Sequence, residues 1–163
     1  MKPVAIFGIN VLASFASSIV AALLFALPWL QAQNVHIALL WLVAPHMFLR
    51  FIGLSFLVPG VVSTSLSKSW AAPAAYGDLI AGVLAIVATG ALACNASWAI
   101  AAIWIFNIWG MLDLLYGFYN GIRANMALNP GALGAGYYLV TAIVPPLLVS
   151  HALIFVFLLR NGG

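Results

Sequence analysis

His46 and Arg50 stand four residues apart inside one apolar run, Asp113 lies in a second run and His151 in a third, in a chain of 163 residues with only five Lys and Arg and two Asp and Glu. Imidazole, guanidinium and carboxylate are the groups that pair with charge, pass protons or ligate metals. A charged side chain at the centre of a bilayer costs on the order of 3 kcal/mol on insertion scales, so such residues face a protein interior and mark a site.

The composition explains why these runs read as membrane spans. Hydrophobic residues make up 66% of the chain and charged ones 4%, where a soluble domain has about 25% charged residues. An all-α integral membrane bundle is expected, and at about 20 apolar residues per crossing the length holds no more than about six or seven spans. Five are predicted, over about 4–28, 37–58, 73–94, 98–122 and 137–159, forming a single transmembrane domain over 1–163. The apolar stretch that follows Lys2 is far longer than the roughly 7 to 15 residues of a signal-peptide core, so it reads as the first span. Its small residues, Ser14, Ser17, Ser18, Ala21 and Ala22, are of the kind that let a neighbouring backbone come close.

Between the second and third spans, residues 61–72 read as a loop on the membrane surface with Trp70 as an interface anchor. Pro73 then starts a helix, which leaves Asp78 little more than one turn inside it. With five spans, Lys2, Lys68 and Arg123 fall on one side and Arg160 on the other, and the positive-inside rule puts the N-terminus in the cytoplasm. The cations are scattered singly, which excludes a nucleic-acid surface. Cys94 is the only cysteine, excluding an intrachain disulfide or a thiolate metal cluster, and is expected to be a small buried residue.

Counting from the span ends organises the ionisable residues. Arg50 lies nine residues from Pro59 and Asp113 nine from Ile122, a depth of roughly 14 Å for each at 1.5 Å per residue. His46 and His151 both come out at roughly 20 Å from the same face. Two level pairs result. His46 and Arg50 share a helix face, and Asp113, Tyr116 and Asn120 form a stripe on the fourth span, with Asn107 about 120° away and turned to another neighbour. Pro45 and the pair Pro145 and Pro146 each remove a helical hydrogen bond, which predicts kinks in both histidine-bearing helices and a small polar cavity between them.

Arg50 with Asp113 reads either as an ion pair that fixes helix packing or as a cavity cation and acid that hold a ligand or relay protons. Asp78 is a rival partner for Arg50, or an interfacial carboxylate. His46 and His151 could ligate a b-type haem, relay protons, bind a transition metal or join helices by hydrogen bonds. Two histidines and one distant aspartate do not complete a metal-ligand set, so no metal is expected. No GxSxG occurs, and Ser150, adjacent to His151, points to another side of its helix.

Arg50-Phe51-Ile52-Gly53-Leu54-Ser55-Phe56-Leu57, then Gly60, then Tyr76-Gly77-Asp78-Leu79-Ile80-Ala81-Gly82 and an apolar run resemble DoxX-like small bacterial membrane proteins over residues 49–92. Asp78 stands where such proteins more often carry Glu, and a first span and Pro45-His46 precede the motif. The resemblance implies a compact helical bundle in a bacterial inner membrane, a loose link to respiratory or quinone-related oxidoreduction, and Arg50 with Asp78 as the pair of interest.

The expectation is therefore a site made of His46, Arg50, Asp78, Asn107, Asp113, Tyr116 and His151 that binds a small polar or amphipathic molecule in the bilayer. A quinone or haem there would make it a redox accessory protein; no catalytic signature marks an enzyme. The competing classes are a small transporter or proton path, with a polar track from Asn120 through Asp113 to His151, and a structural or assembly subunit of a homo-oligomer or larger membrane complex.

Overall fold

The computed structural model describes residues 1–161, and in them the chain is helical with no strand beyond one isolated bridge between Pro59 and Val62. Five helical stretches are long and apolar enough to cross a membrane: α1, Pro3–Gln31; α2, Val35–Leu57; α3, Lys68–Ala93; α4, Ala99–Arg123; and α5, Gly136–Arg160.

Proline sets the irregularities. A π turn at Ala22–Ala26 precedes Pro28 in α1, and another at Leu139–Ile143 precedes Pro145 and Pro146 in α5. A proline ring collides with the carbonyl four residues back and donates no hydrogen bond, and a wider turn makes room for it. In α2 the helix runs from Val35 to Val43, capped by Asn34 Oδ1, which accepts from Ile37 N at 2.9 Å. It breaks at Ala44 and Pro45, resumes over His46–Leu49, and tightens into a 3₁₀ helix over Arg50–Leu57. Both proline sites thus interrupt the regular α-helix, by a π turn in α5 and by a break in α2.

The third helix starts five residues earlier than Pro73 suggests, at Lys68. Trp70 is not an interface anchor. It is buried, packed edge-on against Phe56 at 4.8 Å between ring centroids, and its Nε1–H donates to the carbonyl of Gly117 at 2.9 Å. This packing extends the helix back through residues that show no apolar stripe. It also moves Asp78 to ten residues from the helix start, roughly 15 Å at 1.5 Å per residue, level with Arg50 and Asp113 instead of near an end. Cys94, at the end of α3, is exposed rather than buried.

Helices α3 and α4 form the central antiparallel pair, with the 3₁₀ part of α2 laid against α3. Close approach is possible because the buried stripe of α3 is small: Ala71, Ala75, Gly77, Ala81, Gly82, Ala85, Ala88 and Ala91. Two apolar cores flank the middle of the bundle. One joins Leu39, Val43, Ala85, Ile103, Phe106 and Ile154; the other joins Phe56, Trp70, Ala75, Met126 and Leu133. Along α2 and α3, Arg50 and Asp78 fall between them.

Helix α1 is peripheral. No residue of Pro3–Ala21 is buried. It leans on α5 through a hydrogen bond from Asn10 Nδ2 to Tyr137 Oη (2.6 Å) and a Phe7–Tyr137 ring contact, and meets α4 through Phe15 and Phe118. Of its small residues Ala22 is buried and Ser14 and Ser18 are half-buried, and Ser17, Ser18, Ala21 and Ala22 border a groove of about 760 Å³ shared with Trp41, Pro45, Pro146 and Ser150.

Candidate functional site

The centre of the bundle is a single hydrogen-bonded cluster built around Arg50, which is fully buried. Its Nη1 donates to Asp78 Oδ1 at 2.5 Å and to Asp113 Oδ2 at 3.0 Å. Its Nη2 donates to the carbonyl of Gly110 at 2.6 Å and faces His151 Nε2 at 3.0 Å. All four terminal N–H bonds are therefore spent inside the protein, and Nε is buried without a partner. Asp78 and Asp113 are the only acidic residues of the chain. They are not rivals for Arg50; both converge on one guanidinium nitrogen.

The imidazole protons follow from these partners. A guanidinium offers no acceptor, so His151 Nε2 carries no hydrogen and accepts from Arg50. His151 Nδ1–H then donates to Asn107 Oδ1 at 2.7 Å, while Asn107 Nδ2 donates to the His151 carbonyl at 3.2 Å. Ser150 gives its hydroxyl proton to the carbonyl of Leu147 at 2.8 Å, which makes His46 Nε2–H the donor in the 2.7 Å bond to Ser150 Oγ. His46 Nδ1 has no partner. His151 is neutral in this network and His46 has no acceptor for a second ring proton; the ring centroids lie 4.5 Å apart, with Phe106 packed against each at 5.1 Å.

Glycines seat the polar side chains. A Cβ on Gly53 of α2 would lie 2.7 Å from Asp78 Cβ and Cγ, one on Gly77 of α3 would lie 2.6 Å from Asp113 Cγ, and one on Gly110 of α4 would lie 2.6 Å from His151 Nε2 and 2.9 Å from Arg50 Nη2. Each helix thus leaves out a side chain where its neighbour's polar group comes to rest. The carboxylate oxygens that do not touch Arg50, Asp78 Oδ2 and Asp113 Oδ1, lie against Gly53 and Gly77.

The cluster has an open end. An apolar cavity of about 300 Å³ lies between α1, α3, α4 and α5, walled by Phe7 and Val11 of α1, Trp70 of α3, Phe118 of α4 and Val144 of α5. Among the described residues its only ionisable lining groups are Asp78 and Asp113. Their side chains are 9% and 10% exposed, against 0% for Arg50.

The family model described as a domain of unknown function, DUF8737, matches residues 6–159. The chain belongs to that family. Neither the curated proteins nor the solved structures gave a match.

The DUF8737 region takes in all of the cluster and most of α1. Of the residues singled out in the sequence, the structure brings together His46, Arg50, Asp78, Asn107, Asp113 and His151. It leaves out Tyr116, which is 53% exposed. The buried face of α4 runs through Ile103, Phe106, Asn107, Gly110 and Leu114, and Asp113 sits at its edge; one turn further, Tyr116 is already on the outside. Asn107 faces α5, a different neighbour from the one Asp113 meets, and joins the cluster through His151. Ser150 is the residue that sequence reasoning missed, because it was weighed only against adjacent His151. Its partner is His46, on a different helix.

The geometry also sorts the cofactor readings. Bis-histidine haem ligation puts a macrocycle between two imidazoles, and rings 4.5 Å apart whose Nε2 atoms bond to Ser150 and Arg50 leave no such slot. A quinone presents carbonyl acceptors, whereas the cavity offers two carboxyls and the terminal N–H bonds of Arg50 are committed elsewhere. The haem does not fit the residues present, and a quinone would meet the carboxyls rather than a set of fixed donors.

Proposed function

We propose that this is a multi-pass membrane protein that holds a small amphipathic molecule in the cavity between α1, α3, α4 and α5, its tail along the apolar wall and its polar head against Asp78 and Asp113. One observation carries the reading: both acids of a chain with 4% charged residues line the same apolar cavity. A purely structural ion pair needs no such opening, since burial of both partners completes it. Lys2, Lys68 and Arg123 at the cavity's end of the bundle support a cytoplasmic N-terminus, with the cavity in the cytoplasmic half of a bacterial inner membrane. The Arg50–Asp78 ion pair supports a relation to DoxX-like proteins.

Proton conduction through the cluster has weaker support, because Arg50 stands between Asp113 and His151 and a guanidinium does not give up its proton. The test uses Gly117, which lines the cavity and where a Cβ meets nothing within 4 Å. Gly117→Leu puts a branched side chain into the cavity from a Cβ that stands in open space. Lipophilic molecules extracted from purified wild type and variant are compared by mass spectrometry. A species carried by the wild type and missing from the variant is the expected result; identical extracts from two equally stable proteins would sink the reading.

A further inference from the structure

We propose that the head of the cavity's ligand is a cation, an ammonium or comparable group on an apolar tail, taken up in exchange for a proton. This rests on the cavity reading above and adds the ligand's charge and its linkage to pH.

The charge balance comes from the groups that meet at the cavity's closed end. From α2 comes Arg50, which keeps its positive charge; from α3 and α4 come Asp78 and Asp113; from α5 comes His151, neutral because its Nε2 accepts from Arg50. His46 of α2, behind His151, donates from Nε2 to Ser150, and its buried Nδ1 has no acceptor that would hold a second proton. The α1 residues on the wall, Phe7, Gly8, Val11 and Leu12, add no charge. Arg123 is turned away over the Tyr119 ring, 5.7 Å from its centroid. Two carboxyls therefore share one fixed cation. Ionised together they leave an excess negative charge beside an apolar wall, an arrangement proteins relieve with a counter-charge or a proton.

Among the described residues the cavity's ionisable lining is the two carboxyls, which offer acceptors and, at most, the one proton they share. Trp70 Nε1–H is given to Gly117, and the Arg50 terminal N–H bonds are filled. A head with N–H donors or a diffuse positive charge meets the carboxylates directly, and Phe7, Phe56, Trp70 and Phe118 put aromatic rings on the same wall. An anionic head meets like charge, and a carbonyl head can accept only the one proton that the two carboxyls share. In the empty site one proton held by the two carboxyls leaves the cluster neutral. When the cation enters, that proton leaves to water and the cluster is neutral again, with no other change in bonding.

The experiment measures binding of decyltrimethylammonium, decanol and decanoate to the full chain in lipid nanodiscs, with empty nanodiscs as reference. The tails match and only the head charge differs; the ammonium is permanently charged, so any pH dependence belongs to the protein. The expected result is that the ammonium binds about tenfold or more tighter than decanol and decanoate is not retained. Its affinity should fall by up to about tenfold per pH unit on the acid side, as one-proton exchange requires. Asp113→Asn should cut the ammonium affinity to near that of decanol and leave decanol unchanged; if that variant does not fold, the wild-type pH series decides alone. Equal binding of ammonium and decanol, both lost in Gly117→Leu, would overturn the cationic head while leaving the cavity reading intact. If no probe binds above empty nanodiscs, both fall.

Discussion

The two ends of the central cluster have similar chemistry and opposite surroundings. At the imidazole end, His46 and His151 are fully buried, packed on each other and on Phe106, and bonded to Ser150 and Asn107. At the carboxylate end, Asp78 and Asp113 share one Arg50 nitrogen and keep a partial opening to an apolar cavity. Arg50 joins the two. The difference teaches that polarity at mid-span does not by itself mark a binding site; a sealed, almost fully paired group fixes helix packing, and an accessible group with unbalanced charge can meet a ligand.

The largest expected effect removes what the ends share. Arg50→Met leaves two buried carboxyls without a counter-charge and should destabilise the bundle by roughly 3 to 5 kcal/mol, read as a collapse of the thermal transition in detergent. A variant as stable as the wild type would mean that the carboxyls need no counter-charge, and the contrast between the ends would lose its basis. Next is Gly110→Ala, whose Cβ would push on both His151 and Arg50 and should cost about 1 to 3 kcal/mol. Gly117→Ala, facing open space, is its control and should melt like the wild type.

The comparison is sharpest in the next pair. Asn107→Leu strips His151 Nδ1–H of its acceptor and should cost about 1 kcal/mol, near the upper range for interhelical hydrogen bonds, while amphiphile binding stays as it was. Asp113→Asn should do the reverse, keeping most of the stability because an amide oxygen still accepts from Arg50, and losing the ligand. Should Asn107→Leu abolish binding while Asp113→Asn spares it, the sealed and open ends have been assigned the wrong way round. Ser150→Ala is the smallest perturbation, about 0.6 kcal/mol, because His46 loses one partner and no charge is left unpaired.

Much of this was legible in the chain. Hydropathy separates five spans, and counting inward from their ends brings Arg50 level with Asp113, which it touches, and His46 level with His151, which it packs against. Asp78 was misplaced because Pro73 reads as a helix start, whereas Trp70 buries itself between Phe56 and Gly117 and carries the helix back to Lys68. Tyr116 was misplaced because spacing relates residues on one helix to each other without saying where the buried face of that helix ends. Ser150 was missed because its partner belongs to another helix.

By itself the sequence determined the scarcity: an apolar chain with two acids must bring them inside, near a cation, since hydrocarbon offers an isolated charge nothing. Which cation, and whether both acids would meet at the same one, was decided by tertiary structure. The break at Pro45, the tightened turn over Arg50–Leu57 and the glycines at 53, 77 and 110 set how closely three backbones approach, and that distance is a property of the packed helices. The opening was decided there too. Helix α1 is apolar like the others, yet it stands off from α3 and α4, leaving the space into which Asp78 and Asp113 look.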